Sequence, residues 1–219
     1  MPVGQPEFID NPEPRCPVVL LLDRSGSMAG QPIEELNRGL MIFKESVEED
    51  ALASLRVEIA IVSFGPVELA QDFVTIDGFV PPRLTADGGT PVGEAIDFTL
   101  DLLETRKRIY KADGVPYHQP WVWLITDGAP TSPWRNAAEQ INRAEANRQL
   151  SFFTVAVEGA DMAILRQIAP PQRPPLLLNG LDFKSMFLWL SQSMKRVSTG
   201  KPGDGMTVLP AVGWGSAPN

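Results

Sequence analysis

The sequence predicts an α/β domain: an open, mostly parallel sheet with one antiparallel edge strand and helices on both faces. Strand-like and helix-like segments alternate through the central region, as a parallel sheet with crossover helices requires. Two strand segments, PVVLLLD at 17–23 and WVWLITD at 121–127, are continuously apolar, as strands buried on both faces are. Each of the two ends in an aspartate, so acids gather where such strands finish.

After the first strand, Ile33, Leu36, Leu40, Phe43 and Val47 recur at helical spacing, with Pro32 suited to a first turn. LRVEIAIVSFG (55–65) reads as a strand with unequal faces. VELAQDFVTI (67–76) follows so closely that only a hairpin can connect the two, which makes it the antiparallel edge. A helix runs from near Pro91 to about Tyr110 through Ala95, Phe98, Leu102 and Leu103, and leads to the strand WVWLITD. A helix over about 134–149, the strand SFFTVAV (151–157), a short helix near 161–168, a short strand PLLL and a final helix over 182–198 complete the series. This divides the chain into an N-terminal extension (1–16), one domain (17–198) and a tail rich in glycine and proline (199–219). The tail reads as extended or mobile, yet Val208, Leu209, Val212 and Trp214 leave docking on the domain or on a partner as an equal alternative.

The 219 residues, 43% hydrophobic and 21% charged, suit one domain with tails rather than two. The formal net charge of -8 argues against nonspecific nucleic-acid binding, which needs a basic face. The opening MPVGQPEFIDNPEPRC carries acids and prolines where a secretory signal has a basic start and an apolar core. No later stretch reaches the roughly 18 apolar residues of a membrane span, so no membrane insertion is expected. A single cysteine, Cys16, excludes an internal disulfide framework, and the expected location is cytoplasmic.

In an open parallel sheet, ligands bind beyond the carboxyl ends of the strands where the order reverses. If the two apolar strands are neighbours there, Asp23 and Asp127 face one crevice. Two carboxylates about 5 Å apart repel by roughly 3 kcal/mol at an effective dielectric near 20, so the arrangement wants a cation. Ser25, Ser27 and, in the loop DGGTPVG, Thr90 add hydroxyl oxygens, with no clustered histidine or thiol. An all-oxygen set with few carboxylates fits Mg²⁺ or Mn²⁺, with Ca²⁺ a further candidate, better than zinc or copper.

Asp23, Ser25 and Ser27 as D-x-S-x-S, Thr90 in a later glycine-rich loop, and Asp127 in TDG resemble the complete metal-ion-dependent adhesion site of a von Willebrand factor A (vWA) domain. The resemblance covers about residues 17–198 and implies a Rossmann-like vWA fold. "DRSGSMAGQPIEELNRGL", "GGTPVGEAI" and "PWVWLITDGAPT" are similar to the bacterial TerY/YegL-like branch, associated with tellurite resistance and stress response. By that resemblance, Ser25 and Ser27 bind the metal directly, Asp23 and Asp127 hold it largely through waters, and Thr90 joins directly when a ligand is bound. The implied function is a non-enzymatic, metal-dependent adaptor that grips a partner protein's Asp or Glu carboxylate. A kinase or phosphatase of the same system is the partner class the branch implies.

Other readings of the same residues stay open. D-x-S-x-S forms turns, Thr90 before Pro91 resembles a helix cap, and Asp127-Gly128 can be an ordinary turn. The alternative functions are a metal-dependent hydrolase or phosphotransferase, or a structural domain whose metal only stabilises the fold. A haloacid-dehalogenase-like enzyme needs a second acid two residues after its aspartate, where this chain has Ser25. His118 has no nucleophile motif around it, and GKPGDG (200–205) lacks the spacing of a P-loop. Asp87, Trp134 and Arg135 are candidates for a partner-binding rim, Trp134 equally for a packing residue at a helix start. Arg106, Lys107 and Arg108 read as a solvated basic face near a helix end, and Asp204 as an acid that could reach the site from the tail.

Overall fold

The computed structural model describes residues 6–203 and 208–217, so Asp204 lies outside the described residues. Among these, β1 (Cys16–Asp23), β2 (Val57–Phe64), β3 (Glu68–Thr75), β4 (Trp121–Thr126), β5 (Ser151–Ala156), β6 (Leu176–Leu178) and β7 (Gly215–Ser216) form one sheet in the order β3-β2-β1-β4-β5-β6-β7. The strands from β2 to β6 run parallel, and β3 returns antiparallel along β2 as the hairpin requires. At the far edge two residues of the tail, as β7, add an antiparallel cap to β6.

Every residue of β1, β2 and β4 is buried, and alternate side chains feed two cores. Val18, Leu20 and Leu22 face α2 (Gln31–Glu48) and α7 (Phe183–Thr199), whereas Val19 and Leu21 face α4 (Val92–Asp113) and α5 (Arg135–Ala146). α6 (Met162–Ile168) completes the second face through Leu165 and Ile168. A run with no polar position on either face thus acquires two greasy layers, each covered by helices with apolar stripes. Gly39 lets α2 and α7 pack closely: a Cβ there would lie 2.3 Å from the Phe187 ring of α7.

Two short helices escape the periodicity of the sequence. α1 (Pro6–Asp10) lies in the extension, and α3 (Ala51–Arg56) takes the residues just before β2, beginning that strand at Val57 rather than Leu55. Asp50 caps α3, its carboxylate accepting from the backbone N–H groups of Leu52 and Ala53.

The solvated basic face is corrected. Of its three cations only Arg108 is exposed; Arg106 and Lys107 are 8% and 5% exposed. Arg106 donates from Nε to Glu58 of β2 at 3.0 Å and from a terminal nitrogen to Glu7 of α1 at 2.8 Å. Its guanidinium also lies over the rings of Phe8, Phe73 and Tyr110. Tyr110 donates its hydroxyl to Glu58, and Arg15 stands 3.6 Å from the same carboxylate. A glutamate buried on a central strand must be paired, and the helix above supplies the partner.

The described part of the tail lies on the domain. Trp214 is 2% exposed, 6.0 Å ring to ring from both Trp123 and Trp189, and Trp189 donates its indole N–H to the Pro210 carbonyl at 3.0 Å. Cys16 is buried at the start of β1, where burial pushes its thiol up to about 12 and keeps it protonated.

Candidate metal centre

The order of strands reverses around β1: the chain leaves it for β2 on one side and later returns to β4 on the other. Between β1 and β4 lies the switch point of the sheet, and there Asp23 ends β1 while Asp127 follows β4 directly. The register pairs Leu22 with Ile125, so the next position brings Asp23 beside Thr126. The Thr126 hydroxyl donates to one oxygen of Asp23, and the Ser25 backbone N–H donates to the other at 2.8 Å.

From there an unbroken chain of oxygens crosses the crevice. The Ser25 and Ser27 hydroxyls are 3.0 Å apart, and Ser27 donates to Asp127 at 2.7 Å. Thr90 closes the far side. A Cβ on Gly128, the residue after Asp127, would lie 2.9 Å from Thr90 Oγ1, so glycine is what admits the threonine. Thr90 is fixed by its own backbone, whose N–H donates to the Thr131 hydroxyl at 3.0 Å and whose carbonyl accepts from the Thr131 N–H at 2.9 Å. The three loops also interlock through main chain: Gly26 N–H donates to Gly88 at 3.0 Å, and Asp87 N–H to Arg24 at 2.7 Å.

All five predicted oxygen-bearing residues therefore meet at one place. Asp23, Ser25, Thr90 and Asp127 are buried, while Ser27 is exposed and marks the opening. Burial raises the pKa of Asp23 above its usual value, with the nearby Asp127 charge adding to it and the bonds from Ser25 and Thr126 opposing it. Burial likewise raises Asp127, against the bond from Ser27. Both acids thus hold negative charge at a cost.

Among the described residues no ion pair relieves that cost. Arg24 sits between Asp23 and Ser25 in sequence, yet its guanidinium turns away to Glu68 at 3.1 Å and to the Ser63 hydroxyl at 3.2 Å. Among the described residues neither Asp23 nor Asp127 forms an ion pair. The oxygen spacings suit a small divalent cation, since adjacent ligands of an octahedron with bonds of about 2.0–2.1 Å stand about 3 Å apart. Ser25, Ser27 and Thr90 are the neutral oxygens that would hold it, with Asp23 and Asp127 supplying charge. With only two carboxylates and no thiol or imidazole, the donors are hard oxygens throughout.

Of the proposed rim, Asp87 is exposed on the Thr90 loop. Trp134 packs into the core of the second face at 9% exposure, and Arg135 is exposed with its guanidinium 5.0 Å from the Trp134 ring. Sequence reasoning missed Thr126, Thr131 and Arg24. Thr126 had one signal, a hydroxyl at the end of an otherwise apolar strand. Thr131 and Arg24 act through partners distant in sequence and had none.

Residues 18–187 match the family model described as von Willebrand factor type A domain. Proximal thread matrix protein 1 from the mussel byssus is 20% identical with a TM-score of 0.58 over 84% of this chain and 48% of its own. A further structure of that mussel protein has a zinc-occupied MIDAS motif (18% identity, TM-score 0.56, 84% of this chain and 48% of the other). The pilus adhesin SpaC from Lactobacillus rhamnosus GG gives a TM-score of 0.65 at 12% identity, over 84% of this chain and 30% of its own. Manganese-loaded TRAP protein of Plasmodium vivax gives 0.50 at 17% identity, over 80% and 73%. The chain thus spans about half the length of the mussel protein and less of the adhesin. No curated protein sequence matches it.

Proposed function

The chain belongs to the von Willebrand factor type A domain family, and from that premise we propose a metal-dependent protein-binding domain without catalytic activity. The observation that carries the reading is the cluster of hydroxyls and two carboxylates at the switch point, with neither carboxylate in an ion pair among the described residues. A bound Mg²⁺ or Mn²⁺ would supply a Lewis-acidic position for an incoming Asp or Glu carboxylate.

The protein's own residues prepare that position. Asp23 is locked by Ser25 and Thr126, so its charge is fixed in the floor instead of being spent on a mobile contact. The neutral Ser27 hydroxyl at the opening leaves the ion's charge less neutralised than a carboxylate there would, which favours an acidic ligand. Catalysis is not part of the reading, because Ser25 occupies the place where a phosphotransferase of the dehalogenase type has its general acid. The manganese-loaded TRAP and zinc-occupied mussel structures support a divalent cation as the ligand class.

The finer proposal is an adaptor of a bacterial stress response of the tellurite-resistance kind, acting in the cytoplasm on a kinase or phosphatase. It rests on the similarity of the three loop sequences to the TerY/YegL-like branch and on the single cysteine.

Isothermal titration of metal-stripped protein with Mg²⁺ and Mn²⁺ tests the metal reading. Saturable binding that Asp23→Ala abolishes is expected, with thermal melting to show that the variant folds. For partner binding, Asp23→Ala or Thr90→Ala should weaken affinity by roughly two to three decades, by analogy with breaking a buried ion pair. Unchanged partner affinity in both folded variants would place the binding surface elsewhere.

A further inference from the structure

The pole of the molecule opposite the metal centre carries a second site. A cavity of about 380 Å³ lies at the amino ends of β4 and β5, between the last turns of α4 and the loops that enter the two strands. Glu104, Lys107, Lys111, Tyr117, Gln119 and Arg148 line it. Three cations thus face one carboxylate, in a chain whose net charge is -8.

The arrangement goes beyond what helix stability explains. A lysine near a helix C-terminus suits the dipole, and Lys107 pairs with Glu104 one turn earlier at 2.7 Å. Lys107 is nevertheless only 5% exposed, so its ammonium is held in the wall while Glu104 remains largely in solvent. Lys111 and Arg148 have no carboxylate partner among the described residues.

Arg148 is the stronger sign. It stands just past the end of α5 at φ 55°, the one non-glycine residue with positive φ among those described. Its N–H donates to Glu145 and the next N–H to Ala144, both at 2.9 Å, which is the helix-ending turn that glycine normally fills. Glycine would form that turn without strain. An arginine there carries a backbone cost and delivers a guanidinium from α5 to a cavity that α4 already lines with ammonium groups.

We propose that this cavity binds a phosphate dianion, carried on a side chain or free, through Lys107, Lys111 and Arg148, independently of the metal centre. Two net positive charges match the dianion, and the guanidinium with two ammonium groups suits its several acceptor oxygens. Tyr117 adds a phenolic donor at the same wall.

The test titrates the full chain, in EDTA, with inorganic phosphate and with a phosphoserine peptide beside its unphosphorylated twin. Wild-type protein should bind at least one phosphorylated probe saturably and ignore the twin. Tighter binding of the peptide marks a phosphorylated side chain as the source, and equal or tighter binding of inorganic phosphate marks a free ligand. Arg148→Gly relieves the strained turn, so its melting temperature should not fall, while affinity drops about tenfold or more, as expected for a charged hydrogen-bond donor. Lys111→Gln should weaken binding in the same direction, and Asp23→Ala should leave it unchanged. No saturable binding of either phosphorylated probe by folded wild type, equal binding of the twin, or full affinity in Arg148→Gly would overturn the proposal.

Discussion

Asp127 lies at the mouth of the metal centre with a pKa raised by burial, and the sign of its effect on folding follows from that shift. An acid that binds its proton more tightly when folded destabilises the fold wherever it is ionised. The cost is absent below the ordinary aspartate value of 3.8, appears as pH rises through the raised value, and is complete at neutrality. Asp127→Asn keeps an oxygen to accept from Ser27 but removes the charge. In metal-free protein it should therefore raise the melting temperature at pH 7, by an amount that shrinks on acidification towards pH 4. Thermal melts in EDTA across that range check this, and a destabilisation independent of pH would contradict it. Mg²⁺ is expected to raise the melting temperature of wild type, and the same substitution should abolish that gain. Residues of this kind were legible in the sequence because strand ends and loop glycines announce them. Thr131 and Arg24 were not, since each acts through a partner brought near only by the topology.

Among the elements, the contact of α4 with β2 through Arg106 and Glu58 ties the second helical layer to the sheet, and Glu7 brings α1 into the same knot. Arg106→Met removes the bidentate partner of a carboxylate that stays 1% exposed, leaving Arg15 and Tyr110 to hold it. Breaking one side of a buried pair costs about 3–5 kcal/mol, so denaturant unfolding should show a loss of that order. The periodic helices and apolar strands were readable from sequence to within a few residues. α3 was hidden because Ala51–Arg56 carries apolar residues that read equally well as the run-in to a strand, and only its Asp50 cap separates the two. Arg106 looked solvated because its partner lies 48 residues away on a strand the helix had yet to cover.

At the scale of the whole molecule, the sheet order sets two opposite poles: Asp23 and Asp127 at the carboxyl ends of β1 and β4, and Lys107, Lys111 and Arg148 around the amino ends of β4 and β5. The tail is the part least legible in the sequence. Its glycines and prolines read as loose chain, while the burial of Trp214 depends on an indole-shaped space bounded by Trp123 and Trp189 that exists only after folding. Trp214→Ala empties that space and should lower stability by about 3–5 kcal/mol, measured by denaturant titration. A loss near zero would show that the tail rests on the domain without supporting it.

All five tryptophans are at most 9% exposed, and four of them, Trp121, Trp123, Trp189 and Trp214, join Phe153 in one aromatic cluster that the tail completes. The natural protein consequently carries its own optical gauge. Its intrinsic fluorescence reports indoles shielded from water, and lifting the tail alone would wet Trp214 and its two neighbours, shifting their emission to the red. Trp134, on the other face of the sheet, would remain dark to that event and serve as an internal reference. Whether a ligand at either pole loosens the tail can thus be read by light from unlabelled protein.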